Sequence, residues 1–156
     1  MTTPHETATR VPQEGDTAPK FKLQAYPSGM VSLDDYIGKK NVILAFYPKD
    51  DTPGCTKEMC SMSDDLSKFK DANTEILGIS CDNLNSHEKF AGKYSLKQHL
   101  LADVGGEVGK LYGTVQDGKA TANRVLFVID KSGTIKHIIQ GMPDNNQLLS
   151  LVQALK

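Results

Sequence analysis

Residues 41–60 read NVILAFYPKDDTPGCTKEMC. The run from Asn41 to Tyr47 is apolar, of strand length and without alternation, which predicts a central strand covered on both faces. Pro48 to Gly54 is dense in turn residues and ends that strand abruptly. From Cys55 to about Asp71 the pattern turns helical, with Met59, Met62, Leu66 and Phe69 recurring at spacings of three and four on one face. With Thr52 as N-cap, Pro53 falls at the first helical position, where its missing N–H costs nothing and its φ is already helical. Cys55 then lies within the first turn.

Outward from this strand-turn-helix unit the chain alternates. Upstream, Lys20 to Tyr26 and Met30 to Leu33 flank Pro27-Ser28-Gly29 and predict a hairpin. Downstream, Glu75 to Cys81 predicts a second buried strand and Ser86 to Tyr94 a short helix with Phe90 and Tyr94 on one side. His99 to Ala102 reads as a short strand and Val104 to Tyr112 as a Gly-rich helix start. Arg124 to Asp130 and Thr134 to Gln140 flank Lys131-Ser132-Gly133 as a second hairpin. A last helix, Asn145 to Leu155, has Asp144 as its N-cap. Strands alternating with helices give an α/β class, a sheet between helix layers with antiparallel strands added by the late hairpin. Residues 1–12, polar and Thr-rich, predict a mobile arm, and residues 13–156 a single domain with no linker or repeat.

Bulk properties narrow the function. Eighteen Lys and Arg against nineteen Asp and Glu leave a net charge of −1 with no long block of either sign, so neither nucleic acid nor a membrane surface is an expected partner. No apolar stretch reaches the roughly 18 residues of a membrane span, and no apolar leader marks a secretory signal. Three cysteines, 55, 60 and 81, are too few for a secreted disulfide scaffold and point to a cytoplasmic protein.

The chemistry concentrates at Cys55. A helix's first turn leaves backbone N–H groups unpaired and carries partial positive charge, which favours thiolate over thiol and can hold an oxygen-rich ligand. The plainer reading of Cys55 is a small buried residue. Thr52 has two compatible readings: an N-cap whose hydroxyl takes the Cys55 N–H, or a hydrogen-bond partner for sulfur or substrate.

Pro48, Thr52 and Cys55 form P-x-x-x-T-x-x-C, which resembles the active-site signature of the peroxiredoxins, and FYPKDDTPGCTKEMC is similar to the bacterioferritin-comigratory, or Q-type, subfamily. Gly15-Asp16-Thr17-Ala18-Pro19 with Phe21, Gly78-Ile79-Ser80, and Arg124 followed by Phe127-Val128-Ile129-Asp130 extend the resemblance in order and spacing over roughly residues 13–156. The fold it implies is thioredoxin-like, a central mixed sheet flanked by helices with an N-terminal β-hairpin extension.

The resemblance also implies roles. Cys55 attacks hydrogen peroxide or an alkyl hydroperoxide and becomes a sulfenic acid, Pro48 shields the sulfur, and Thr52 and Arg124 position sulfur and peroxide. Glu58 orients Arg124, unless it is a solvated helix carboxylate. Arg124 alone reads as an exposed strand-start arginine. Cys60 matches the resolving cysteine of members that form a disulfide within the helix, later reduced by thioredoxin or a similar dithiol; the expected protein is a monomer without cofactor or metal. Five helical residues separate Cα atoms by roughly 9 Å, against about 4.4–6.8 Å for a disulfide, so the segment 55–61 is expected to unwind on oxidation. Cys81 reads as a strand-end thiol or a backup resolving thiol. Competing readings are a general dithiol-disulfide oxidoreductase, a peroxide-switched sensor or chaperone, a cysteine hydrolase served by one of the scattered histidines, and a three-cysteine zinc site.

Overall fold

The computed structural model describes residues 11–27 and 29–155. In chain order the elements are β1 (Lys22–Tyr26), β2 (Gly29–Ser32), β3 (Asn41–Phe46), α1 (Pro53–Asp64), α2 (Leu66–Asp71), β4 (Thr74–Ser80), α3 (Leu84–Tyr94), β5 (His99–Ala102), α4 (Glu107–Leu111), β6 (Val125–Ile129), β7 (Ile135–Gln140) and α5 (Asn145–Gln153). One sheet takes the order β2-β1-β5-β4-β3-β6-β7. Parallel pairing joins β3, β4 and β5 at its centre, and the two hairpins are antiparallel at its ends.

β3 and β4 are buried at every position, as continuous apolar strands between helix layers must be. Because side chains alternate along a strand, β3 feeds two cores. Val42, Leu44 and Phe46 pack with Phe21, Leu33, Tyr112, Phe127 and Ile135 on one face. Ile43, Ala45 and Tyr47 pack on the other with Cys55, Met59, Met62, Leu66, Phe69, Phe90 and Leu148. Helices α1, α2, α3 and α5 cover that second face.

Three boundaries differ from the sequence expectation. The helix read as continuous from Cys55 to Asp71 begins at Pro53 and breaks at Asp65, where φ −101° and ψ 10° leave the helical region. The apolar periodicity runs through the break, because Met59, Met62, Leu66 and Phe69 are all buried in one core. The N-terminal hairpin is an integral end of the sheet, with β1 pairing antiparallel to β5; Ser28 at its turn lies outside the described residues. Helix α4 spans only Glu107–Leu111 of the 104–112 segment. Of the arm expected over 1–12, residues 1–10 lie outside the described residues, while Pro12 is buried and the Val11 side chain lies over Gly113.

Gly78 lets α1 approach the sheet. A Cβ there would lie 3.0 Å from Leu100 Cδ2, 3.2 Å from Met59 Sδ and 3.4 Å from Tyr47 Cε1. Gly78→Ala is therefore expected to push Met59, one turn beyond Cys55, and to destabilise the fold by about 1–3 kcal/mol. A lower urea midpoint at unchanged m-value is the check.

Candidate active site

The turn after β3 and the start of α1 deliver Cys55 to the core rather than to the surface: its relative exposure is 1%. Thr52 is the N-cap and Pro53 occupies the first helical position, but no side chain caps the turn. The Thr52 hydroxyl instead donates to the Lys49 carbonyl at 2.9 Å. This corrects the capping reading of Thr52: the hydroxyl pins its own turn, and the first-turn amides are left for an incoming oxygen-bearing ligand. Pro48, half-buried, opens that turn.

Arg124 arrives from the residue before β6, with its side chain 22% exposed. Its Nη1 donates to Glu58 Oε1 at 2.7 Å and its Nη2 to Cys55 Sγ at 3.4 Å. Gly54 makes room for it, since a Cβ there would stand 3.0 Å from Nη2. Burial works against the charge of Arg124, yet the hydrogen bonds it donates to Cys55 and Glu58, with the charge interactions beside them, outweigh it and hold its pKa above the ordinary value. Glu58 is 1% exposed, so it is not a solvated carboxylate. Burial pushes its pKa up, and the hydrogen bond and charge of Arg124 oppose that rise. Three residues 66 and 69 positions apart in sequence thus meet around one sulfur.

Cys60 lies on the same unbroken helix, half-buried, and all three cysteines are free thiols. Burial and then the Asp64 carboxylate raise its pKa. Cys81 packs against the core on the opposite side of the sheet from Cys55, which separates the two thiols. Among the described residues, no group of three or more His, Cys, Asp or Glu side chains is arranged to hold a metal ion.

A buried polar network behind the turn escaped the sequence reading. Asp50 accepts from the Tyr47 hydroxyl at 2.6 Å and the Ser86 hydroxyl at 2.8 Å, and its Oδ2 lies 2.7 Å from His87 Nδ1. His87 Nε2 lies 2.8 Å from the Leu101 carbonyl, which can only accept, so that nitrogen carries a proton. The Asp50 N–H donates to Asp82, which also takes the Ser80 hydroxyl. Burial, with the Asp50 charge next, pushes the Tyr47 phenol well above its ordinary pKa, so it stays a donor. The network fastens the turn carrying Pro48 and Thr52 to β4 and α3. One signal was present: His87, Phe90 and Tyr94 recur at helical spacing on the apolar face of α3.

The AhpC/TSA family profile matches residues 14–138. A chloroplastic peroxiredoxin Q of Sedum lineare is 40% identical over 148 residues, covering 92% of this chain and 79% of the relative. A protein named peroxiredoxin bcp from Coxiella burnetii is 45% identical over 130 residues, covering 80% of this chain and 85% of the relative. The crystal structure of peroxidoxin BcpB from Mycobacterium tuberculosis superposes with a TM-score of 0.84 at 29% identity, covering 92% of this chain and 97% of that one.

Two outcomes are expected from this geometry. Arg124→Lys replaces a fork that reaches sulfur and carboxylate together by a single ammonium, and the second-order rate of Cys55 oxidation by peroxide should fall about 10²-fold in stopped-flow measurements. In Cys55→Ser/Cys81→Ser protein, alkylation of Cys60 by iodoacetamide should be slow at neutral pH. Its raised pKa leaves little thiolate there, and the rate should climb about tenfold per pH unit until that pKa is reached.

Proposed function

The chain belongs to the AhpC/TSA family and is a thiol-dependent peroxidase of the peroxiredoxin kind, and we propose that Cys55 is its peroxidatic nucleophile and Cys60 its resolving thiol. The supporting observation is the position of Cys55 Sγ: in the uncapped first turn of α1, 3.4 Å from a guanidinium that Glu58 holds from its other side.

In this reading the Cys55 thiolate attacks the terminal oxygen of hydrogen peroxide or a small alkyl hydroperoxide. An S–O bond forms, the O–O bond breaks, and the departing hydroxide or alkoxide takes a proton to leave as water or alcohol. Negative charge moves from sulfur to the departing oxygen, and Arg124 with the first-turn amides supplies fixed positive charge along that path. Pro48 and the Thr52 turn limit the water around the sulfur. The Cys60 thiolate then attacks the Cys55 sulfenic sulfur; the S–S bond forms and hydroxide leaves, to be protonated to water. A thioredoxin-type dithiol supplies two electrons and two protons that restore both thiols. The enzyme acts in this reading as a monomer in a reducing, cytoplasmic setting, where free thiols persist.

The second step requires motion. On an intact helix the Cα atoms of residues five apart lie roughly 9 Å from each other, beyond the reach of about 6.8 Å that a disulfide allows. With α1 continuous from Pro53 to Asp64 and its cysteines free, the helix is in its reduced form and has to unwind to close the bond.

Intact-mass analysis after one equivalent of hydrogen peroxide tests the assignment. Wild-type protein is expected to lose two hydrogens, and Cys60→Ser to hold a sulfenic acid that a dimedone-type reagent traps. Cys55→Ser should show no fast reaction; a fast one overturns the assignment.

A further inference from the structure

The second half of α1 is tied to its neighbours at several points, whereas the polar side-chain ties of the first half all run through Arg124. Gln98 Nε2 donates to the Met59 carbonyl at 3.0 Å. The Lys97 backbone N–H donates to Ser63 Oγ at 2.9 Å. Asn145, at the start of α5, aims one Nδ2 at three acceptors: the Ser61 carbonyl at 3.1 Å, Ser61 Oγ at 2.9 Å and Asp65 Oδ2 at 2.9 Å. Between these ties Met59 and Met62 are buried in the core at 0% and 2% exposure. Upstream, Pro53, Gly54 and Lys57 are exposed, no side chain caps the turn, and Cys55 and Glu58 are held through Arg124 alone among the polar contacts. Pro53 brings no N–H to the helix and Gly54 favours the unwound chain.

We propose that Gln98 and Asn145 are positioning residues for the resolving step, holding residues 59–64 helical while Gly54 to Glu58 unwinds, so that Cys55 travels to a stationary Cys60. The proposal rests on Cys60 being the resolving thiol. It specifies which end of the helix moves and what stops the motion.

Gln98 carries the stronger mark of such a role. It is 2% exposed, and its Oε1 is buried without a hydrogen-bond partner. An unpaired buried acceptor is unfavourable, and an apolar side chain of similar size would avoid it. The gain at that position is the bond to the Met59 carbonyl, at the boundary where the unwinding halts. The released segment is long enough: each extended residue reaches about 3.3–3.6 Å, so five residues can fold back to bring Cys55 within bonding distance of Cys60. Holding the target thiol in place raises its effective concentration at the sulfenic sulfur.

Amide hydrogen exchange on reduced and peroxide-oxidised full-length protein tests this, with peptide mapping of the disulfide on the same samples. On oxidation, peptides covering 54–58 should lose protection and those covering 59–65 should keep it. In Gln98→Leu and Asn145→Ala, the loss should spread to residue 65. Disulfide formation should slow about fivefold, the equivalent of one hydrogen bond, and sulfinic acid should accumulate at high peroxide. The first oxidation of Cys55 should keep its wild-type rate. A merely structural Gln98 would leave the ratio of disulfide to sulfinic acid unmoved in Gln98→Leu, and that result overturns its assignment. Loss of protection through residue 64 in oxidised wild type, with a mapped Cys55–Cys60 disulfide, overturns the proposal whether or not the variants fold. A disulfide mapped elsewhere overturns the resolving role of Cys60 and this proposal together.

Discussion

Arg124 touches two atoms at once, and the site takes its form from that double contact. One nitrogen is bound to the buried Glu58 carboxylate and another to Cys55 Sγ. A guanidinium can do this because its donors form a rigid fork; an ammonium cannot hold both directions. The fork needs Gly54 beneath it, where any Cβ would crowd Nη2. It also needs β6 beside β3, so that the residue before β6 faces the helix that follows β3. The antiparallel pairing of those two strands is thus a requirement of the chemistry as well as of the core. Glu58 compensates the cation at a site where either charge alone would be costly to bury.

Behind the sulfur, the turn from Pro48 to Thr52 is fixed by a second device of different character. Asp50 gathers Tyr47, Ser86 and His87 in a network buried at Tyr47, Asp50 and His87 and half-buried at Ser86, while Asp82 takes the Asp50 N–H. Buried polar groups that satisfy one another define a single arrangement, since displacing any member leaves the others unpaired. Rigidity in the turn and freedom in the first turn of α1 are therefore built from neighbouring residues: Asp50 is buried and Gly54 is exposed.

What could be read from the sequence was local. The apolar run of β3, the turn signals from Pro48 to Gly54, and the burial of Met59, Met62, Leu66 and Phe69 follow from spacing and side-chain type. So does the placement of Cys55 in a first turn, through Pro53. Most of the contacts that were not legible join residues far apart in the chain. Asp65 interrupts a periodic helix where Asn145, 80 residues away, binds its carboxylate. His87 reads as one of four scattered histidines until α3 lays it against Asp50. The Thr52 hydroxyl could have faced the Cys55 amide or the Lys49 carbonyl; both are within local reach, and only the backbone path of the turn decides between them. Arg124 shows the same limit, since nothing in the continuous apolar run of β6 signals that the side chain just before it will reach across to another element.

The proposed cycle makes two opposing demands on Cys55. Attack on peroxide wants the sulfur held, shielded from water and close to a cation, which burial at 1% exposure and the Arg124 contact provide. Resolution wants the same sulfur free to leave. The structure separates these demands along one helix instead of balancing them at one residue. In the proposed cycle, conversion of Cys55 to a sulfenic acid changes the sulfur that faces Arg124, and with it the contact that helps keep the uncapped, Pro-Gly start of α1 in place. The second half is untouched by that change, because its holds are apolar burial and hydrogen bonds to Met59, Ser61, Ser63 and Asp65, none of which involves the sulfur. Oxidation in the proposed cycle therefore weakens the end of the helix that has to move and leaves the end bearing Cys60 as it was.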